Sequence, residues 1–421
     1  MASTKASPVS MKAAFGVMCV TLVCFTAGAT TPAMGMLFEQ FADQPQWLVS
    51  LINTLPSLGT IIGILVFGSV ANGKVKFKTI ANIGMLSSGI FGILPTFWND
   101  SIWVILLCRL ICGFGTGFIM SLGATWFMRM IRDKDERGKY LSWNQMFGSG
   151  GGIIFTMLGG WLATIQWNYC FLSLAFIFVA WIIMLICFQE PKTVEQIVQE
   201  EGAKSAEEFQ QAKRVKLGVG VWVVMLLFMG YQMLLSQGLI LSSVFMDING
   251  AGTAGDAANC LSIFTVFTAV FCAFGGAILK ALGKFTDPIF YCVLGAGMIC
   301  LLVAGSNTML YYVAMALLGI GACVCAFVNF EVSLITSPAG MAWAASLMMI
   351  GTNLGNFLSS FLLGALQGIG GDNVYFPVIF AAVGYFVLGA IFLIFNLTSK
   401  GWRNYKAEKL DGYVEEAAPL E

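Results

Sequence analysis

Residues 102–127 read IWVILLCRLICGFGTGFIMSLGATWF, and this stretch indicates the fold class most directly. It is long enough to cross a bilayer, since a transmembrane helix needs about 20 mostly apolar residues. Its one charged residue is Arg109, which is followed by Gly113, Gly115 and Gly117. Small residues let membrane helices pack closely. The stretch therefore predicts a membrane-spanning helix that packs tightly against its neighbours and holds one buried cation.

The same hydropathy pattern recurs along the chain and predicts twelve spans. Their approximate boundaries are 13–36, 47–71, 79–98, 102–127, 140–164, 168–189, 217–246, 257–279, 286–305, 309–331, 340–366 and 375–397. The composition agrees, because 10% of the 421 residues are charged, whereas soluble domains carry about 25%. The predicted fold class is an all-α membrane protein with twelve transmembrane helices in two six-helix pseudo-symmetric halves. Soluble enzymes and disordered chains are excluded.

Several kinds of chemistry are excluded by what the sequence lacks. The net charge is zero, so the chain lacks the excess of basic residues with which proteins bind nucleic acid. There is no histidine, which removes Ser-His-Asp triads, histidine proton relays and His-ligated metals. The 12 cysteines all lie in apolar stretches, where cysteine behaves as a small hydrophobe. No ATP-binding G-x-x-x-x-G-K-[ST] loop is present. We therefore expect no enzyme activity, no metal and no cofactor.

Basic residues give the predicted orientation, since cytoplasmic loops are enriched in lysine and arginine. With the N-terminus inside, every basic residue except Arg109 falls in an inside loop or tail. We therefore predict a multi-pass protein of the cell membrane with both termini in the cytoplasm, in contact with the lipid bilayer and acting as a monomer.

The chain divides near its middle, where 190–216 is the longest polar connection. The predicted organisation is a first six-helix half at 1–189, a cytoplasmic linker at 190–216, a second half at 217–399 and a cytoplasmic tail at 400–421. The two halves contain similar stretches at corresponding places, GSVANGKVKFK at 68–78 and GAILKALGKF at 276–285. Duplicated halves joined by a long inside loop are typical of secondary transporters, with the site between the halves.

The chain resembles the major facilitator superfamily across essentially its whole length. Span four matches the family's R-x-x-x-G-x-G-x-G pattern at Arg109, Gly113, Gly115 and Gly117. The family's loop after span two, G-x-x-x-D-R/K-x-G-R/K-R/K, is only partly kept. The matching positions of the first copy are Gly68, Asn72 and Lys76, with asparagine in the acidic position, and those of the second copy are Gly276, Lys280, Gly283 and Lys284.

This resemblance implies a carrier in which these loops latch the two halves together on the cytoplasmic side. Asn72 and Lys280 occupy the positions where the family has an acidic residue, so the family's charge network between these loops lacks its acid here. It also implies a binding cavity flanked by spans seven and eleven.

Arg109 has two possible roles. An arginine in the bilayer centre costs about 2.5–3.5 kcal/mol on insertion scales, so it should face the bundle interior and find acceptors. It either binds a substrate carboxylate through a bidentate pair or donates to backbone carbonyls and braces the first half. The two roles are not exclusive.

Glu331 is the candidate for coupling transport to an ion, H⁺ or Na⁺. No aspartate or glutamate lies deep in a predicted span, and Glu331 is near the inner end of span ten. Its alternative role is an inner-surface charge that pairs with a loop lysine.

Uncharged polar side chains predict the binding cavity. Buried amides cost free energy unless paired, so they should point inward. We predict ligand contacts from Tyr231, Gln232, Asn353 and Asn356. Pro32, Pro56 and Pro95 are expected to interrupt helices one, two and three, because each removes an intrahelical hydrogen bond.

The predicted function is secondary transport of a small organic solute by alternating access. The buried charge of Arg109 favours an organic anion such as a carboxylate. The alternative is an efflux carrier for hydrophobic or aromatic compounds, supported by 35 Phe and 22 Met, because methionine adapts to irregular apolar cavities.

Overall fold

The computed structural model describes residues 10–70, 75–131, 134–191, 196, 217–336, 341–371 and 373–398. Within these residues twelve helices are long and apolar enough to cross a membrane, and no strand occurs. Spans 1 to 12 are Met11–Gln40, Gln46–Gly68, Phe77–Thr96, Ile102–Phe127, Lys139–Ala163, Trp167–Cys187, Val219–Ile248, Ala254–Ala273, Gly275–Val303, Thr308–Val332, Trp343–Gly370 and Phe376–Thr398. The prediction of an all-helical, twelve-span membrane protein is confirmed.

Span 1 begins at Met11 and span 12 ends at Thr398. Because the spans alternate in direction, these two ends lie on one side of the bundle, which we call the terminal side, and the opposite side is the distal side. The predicted linker and tail lie almost entirely outside the described residues, so the division of the chain at 190–216 stays a prediction.

Several spans are broken. Span 1 changes from α-helix to 3₁₀-helix at Leu22–Ala29 and again at Thr31–Ala33, where Pro32 lies. Pro95 lies in the 3₁₀ turn Leu94–Thr96. Span 10 consists of two helices, Thr308–Ala322 and Val324–Ile335, which meet at Cys323.

The eighth and ninth spans differ from the predicted boundaries. The helix of span 8 stops at Ala273, and after Phe274 a short helix, Gly275–Leu282, precedes a turn at Gly283. Gly283 has φ +54°, a left-handed conformation that favours glycine. The main helix of span 9, Thr286–Val303, starts three residues later.

The expected break at Pro56 is wrong, because Pro56 lies inside the continuous helix Gln46–Val70. Proline has no N–H, so the carbonyl four residues earlier, that of Ile52, loses its intrahelical donor. The Nε of Arg109 donates to that carbonyl oxygen over 2.8 Å. A side chain from span 4 thus supplies the hydrogen bond that Pro56 removes, and the helix remains intact.

Glycines set the distance between spans 2 and 4. A methyl group on Gly113 would lie 2.0 Å from the carbonyl oxygen of Pro56, and one on Gly117 would lie 2.1 Å from that of Thr60. Spans 8 and 10 make a similar contact, because a methyl group on Gly319 would lie 2.5 Å from the carbonyl oxygen of Phe264. The same kind of close backbone packing therefore occurs in both parts of the chain.

Candidate functional site

The two halves meet on the distal side through spans 2 and 11. Asn356 donates through Nδ2 to the hydroxyl of Ser57 over 2.5 Å. The hydroxyls of Thr54 and Ser360 lie 2.6 Å apart. Closer to the distal ends, the amide of Gln367 also donates to Gln46. These polar contacts run from the distal surface to about mid-depth.

Spans 1 and 7, and spans 5 and 8, close the distal side further. Ser243 of span 7 donates to the carbonyl oxygen of Thr31 over 2.9 Å. A methyl group on Gly160 of span 5 would lie 2.3 Å from the Cβ of Ala258 in span 8. All of these residues lie toward the distal ends of their spans, so the structure has the form of a bundle closed at its distal side.

Several amide side chains of the described residues are at least partly exposed at mid-depth or toward the terminal side, and four of them are considered as solute contacts. They belong to spans 5, 7, 10 and 11 and are Gln145, Gln232, Asn329 and Asn353. The Nδ2 of Asn353 donates to the carbonyl oxygen of Met349 in its own helix over 3.0 Å. Its carbonyl oxygen remains an acceptor for a solute. A methyl group on Gly355 would lie 3.0 Å from the Cβ of Gln232, so spans 7 and 11 pack side by side here.

Of the predicted ligand contacts, Gln232 and Asn353 are thus partly exposed, and Asn356 belongs to the distal closure. Tyr231 is different, because it is only 2% exposed. Its ring stacks on Phe228 at 5.1 Å and lies 5.9 Å from Tyr291 and 6.3 Å from Tyr385. It is a core residue of the second half in this structure, and its predicted contact with a solute stays a prediction. Adjacent helical residues point in different directions, so Tyr231 and Gln232 have different surroundings.

Arg109 is fully buried among spans 1, 2 and 4. Besides its bond to Ile52, its Nη2 donates to the hydroxyl of Thr30 over 3.3 Å. The hydroxyls of Thr30 and Thr31 both donate to Oδ1 of Asn53, over 3.1 and 3.0 Å. This network joins three helices, which is the bracing role, while Nη1 has no hydrogen-bond acceptor among the described residues.

Glu331 is 2% exposed and lies on the second helix of span 10. Asp287, in the first turn of the main helix of span 9, is also fully buried and interacts with Glu331. Asn396 of span 12 donates through Nδ2 to Oδ2 of Asp287 over 3.2 Å. Glu331 is thus a buried group rather than an inner-surface charge.

The sequence-based prediction did not include Asp287 or Asn396 in the site. In the sequence Asp287 lies at the start of the predicted span 286–305, and an isolated asparagine near the end of span 12 does not indicate a site. Only the packing of spans 9, 10 and 12 brings these side chains together with Glu331.

The motif residues fall into three groups. Gly113, Gly115 and Gly117 make close backbone approaches: a methyl group on Gly115 would lie 2.2 Å from the hydroxyl of Ser87. The lysines of the loops are exposed, and they are Lys76, Lys280 and Lys284. Gly68 is half-buried, and a methyl group on Gly276 would meet no atom within 4 Å. Asn72 lies outside the described residues.

A further carboxylate contributes to the terminal side of the first half. Glu190, three residues after span 6, accepts hydrogen bonds from the backbone N–H groups of Phe77 and Lys78 at the start of span 3. The guanidinium carbon of Arg129 lies 4.7 Å from the centre of the Phe77 ring. A carboxylate at a helix N-terminus is stabilised by the unsatisfied N–H groups and the helix dipole. The sequence analysis missed this contact.

Comparison with known proteins agrees with this architecture. The family model described as Major Facilitator Superfamily matches residues 16–342. The chain belongs to the Major Facilitator Superfamily. The family resemblance given above is confirmed.

Curated relatives of this superfamily member match only in part. Synaptic vesicle glycoprotein 2C of Rattus norvegicus is 30% identical over 143 residues, which is 34% of this chain and 19% of the relative. Protein TsgA homolog of Erwinia tasmaniensis is 24% identical over 200 residues, covering 46% of this chain and 48% of the relative. The chain thus spans less than half of the length of these relatives.

Solved structures share the fold over nearly the whole chain. The nucleoside transporter NupG superposes with a TM-score of 0.70 and 15% identity, covering 93% of this chain and 100% of that one. The xylose transporter XylE from E. coli, in a partially occluded inward-open conformation, has a TM-score of 0.65 and 15% identity, covering 92% and 96%. At this identity the comparison shows the fold alone.

Proposed function

We propose that this superfamily member carries a small polar organic solute by alternating access around a site at mid-depth. The observation that supports this most strongly is the distal closure. Hydrogen bonds between small side chains join spans 2 and 11 and spans 1 and 7 there, and spans 5 and 8 approach closely at Gly160 and Ala258. Rocking of the halves would open the distal side while the terminal side closes.

The orientation of the basic residues supports a cytoplasmic terminal side. In the state described here the solute would then exchange with the cytoplasm. The protein acts as a monomer in this proposal, because each chain contains both halves of the pathway.

The exposed amides favour an uncharged polar solute as the substrate. Gln145, Gln232, Asn329 and Asn353 offer neutral donors and acceptors, which suit a solute rich in hydroxyl and carbonyl groups. The fold neighbours NupG and XylE are described as nucleoside and xylose transporters, which is consistent with such a solute.

An organic anion is the competing substrate class. It would require Arg109, whose Nη1 can donate a hydrogen bond to a further partner. Its Nε and Nη2 are already committed to Ile52 and Thr30, and the side chain is fully buried. An anion would therefore have to enter the network of spans 1, 2 and 4, and for this reason we favour the neutral solute.

Counterflow in liposomes separates these classes. Purified protein is reconstituted with an excess of one unlabelled probe inside, and entry of the same labelled probe is followed for uridine, xylose, lactate and the hydrophobic dye ethidium. We expect counterflow of uridine or xylose that falls in Asn353→Ala. The matched control is Asn249→Ala, an amide at the distal end of span 7.

Other results would change the assignment. Counterflow of lactate that is lost in Arg109→Met would establish the organic anion, and ethidium counterflow would establish the hydrophobic-compound carrier. Protein that is folded by thermal unfolding but exchanges none of the four probes would contradict the proposed substrate class.

A further inference from the structure

Two thiols lie in contact where spans 8 and 10 pack together. The sulfur atoms of Cys272 and Cys323 are 2.9 Å apart, and both side chains are free cysteines in the structure. The thiol of Cys323 also donates to the carbonyl oxygen of Thr268 over 3.4 Å. A disulfide bond is about 2.05 Å long, so the two sulfur atoms would bond after approaching each other by about 1 Å. The pair is therefore well placed for disulfide formation.

The packing of the two spans holds the pair in register. Phe264, Thr268 and Cys272 are spaced by four residues and so lie on one face of span 8. Thr268 donates to the carbonyl oxygen of Gly319 over 3.0 Å, and a methyl group on Gly319 would lie 2.5 Å from the carbonyl oxygen of Phe264. Gly319 is itself one turn before Cys323. The contact between the thiols thus continues a row of close contacts between the two helices.

Both helices are interrupted next to the pair. The helix of span 8 ends at Ala273, one residue after Cys272, and a second helix, Gly275–Leu282, follows it. Span 10 is divided at Cys323 itself, after which the helix Val324–Ile335 begins. We call these two following helices the terminal segments of spans 8 and 10, because both lie toward the terminal side. The thiols therefore lie where each span changes from its closely packed part to its terminal segment.

The two thiols differ in accessibility. Cys272 is exposed on span 8, whereas Cys323 is 0% exposed. A small oxidant therefore reaches Cys272 first. Oxidation of a cysteine gives a sulfenic acid, which condenses with a neighbouring thiol to form a disulfide. The pair has the arrangement that this chemistry needs, one accessible thiol with a second thiol in contact with it.

We propose that Cys272 and Cys323 are a site of reversible oxidation by hydroperoxides, and that the resulting disulfide restrains the terminal segments of spans 8 and 10. In the first step the sulfur of Cys272 attacks a peroxide oxygen and the O–O bond breaks. Cys272 becomes a sulfenic acid, and the peroxide is reduced to water or an alcohol. In the second step the sulfur of Cys323 attacks the sulfenic sulfur, the S–O bond breaks, and the hydroxide that leaves takes the thiol proton as water. A dithiol reductant reverses the bond by thiol–disulfide exchange.

The restraint follows from the position of the bond. Conformational changes in proteins are absorbed by a few residues at the ends of helices, and both interruptions lie beside the thiols. A disulfide there joins the two helices covalently at the points where they would bend. We therefore expect the oxidised protein to close its terminal side more slowly, a consequence that rests on the proposed transport by alternating access.

Peptide mapping tests the site without any substrate. The full-length protein in detergent is treated with hydrogen peroxide, the remaining thiols are alkylated in SDS, and the digest is analysed by mass spectrometry without reduction. We expect peptides joined through Cys272 and Cys323, lighter than the two reduced peptides by two hydrogen atoms and separated by dithiothreitol. Cys272→Ser and Cys323→Ser should each abolish the link. The matched control, Cys292→Ser, removes an exposed thiol that lies near Gly389 of span 12 and should keep the link.

Hydrogen exchange and counterflow test the consequence. After peroxide treatment the backbone amides of residues 275–282 and 324–335 should exchange several-fold more slowly in the wild type and in Cys292→Ser, and dithiothreitol should restore their rate. In liposomes, counterflow of the probe that the wild type exchanges should slow with peroxide and recover with dithiothreitol, whereas counterflow by Cys272→Ser should not respond to peroxide. Thermal unfolding verifies that each variant folds.

Three results would overturn the inference. They are a peroxide-treated protein without the joined peptides, a link from Cys272 to a different cysteine, and joined peptides with unchanged hydrogen exchange in both terminal segments. Counterflow that does not respond to peroxide although the joined peptides form would overturn the connection to transport. If the wild type exchanges none of the probes, the proposed substrate class fails, while mass spectrometry and hydrogen exchange still decide whether the pair forms a restraining disulfide.

Discussion

The hydrogen bond from Arg109 to the carbonyl oxygen of Ile52 exists because Pro56 leaves that oxygen without an intrahelical donor. This gives a sharp prediction for a double-mutant cycle. Arg109→Met removes the donors while keeping an unbranched side chain of similar length. Pro56→Ala restores an N–H that can reach Ile52. The two substitutions should therefore interact.

The magnitude follows from the groups involved. A buried carbonyl left without its hydrogen bond costs about 1–3 kcal/mol, and the Nε–O distance of 2.8 Å indicates a good bond in the wild type. Pro56→Ala supplies the missing donor only where Arg109 is absent. We expect Pro56→Ala to stabilise the Arg109→Met protein by about 1 kcal/mol more than it stabilises the wild type.

The assay is equilibrium unfolding in mixed micelles of detergent and SDS for the wild type, both single variants and the double variant. The free energy of unfolding of Arg109→Met alone is not diagnostic, because removing a buried charge also removes its desolvation cost. The coupling energy isolates the shared carbonyl. A coupling energy within about 0.3–0.5 kcal/mol of zero, which is the range for independent sites, would refute the explanation of Arg109 as the replacement donor.

The remaining predictions concern packing and closure. Gly113→Ala should destabilise the protein by about 1–3 kcal/mol through overpacking, whereas Gly150→Ala, whose methyl group would meet no atom within 4 Å, should be neutral or stabilising. The melting temperatures of the two variants are measured with a thiol-reactive dye that detects the buried cysteines on heating. Equal melting temperatures would contradict the close-packing argument. Glu190→Gln should lower the melting temperature slightly at low salt and less at high salt, because salt screens the attraction between a carboxylate and a helix N-terminus. A change in melting temperature that does not depend on salt would exclude this electrostatic role. Asn356→Ala removes the hydrogen bond to Ser57, worth about 1 kcal/mol, and should raise the proportion of distal-open molecules roughly fivefold. Distances between spin labels at the distal ends of spans 2 and 11 measure this proportion. An unchanged distance distribution would show that the hydrogen bond does not keep the distal side closed.

The number of spans and the tight packing of span 4 follow from the amino-acid sequence alone. Hydropathy is a local property, because each span must satisfy its own backbone hydrogen bonds in the bilayer. The glycines after Arg109 similarly permit close approach wherever a neighbouring helix lies. For these reasons the all-helical, twelve-span fold could be predicted from single stretches of the chain.

The tertiary structure decided what the polar residues do. The sequence left Arg109 as a contact for a substrate carboxylate or as a brace, and only the packing shows that its Nε donates to the carbonyl oxygen that Pro56 leaves without a donor. Tyr231 and Gln232 are adjacent in sequence, yet only one of them is partly exposed. Glu331 and Asp287 are on different spans, and only the packing brings those spans together. Contacts between helices depend on rotation and register, which the hydropathy of a single helix does not encode, so they appear only when the helices are packed together.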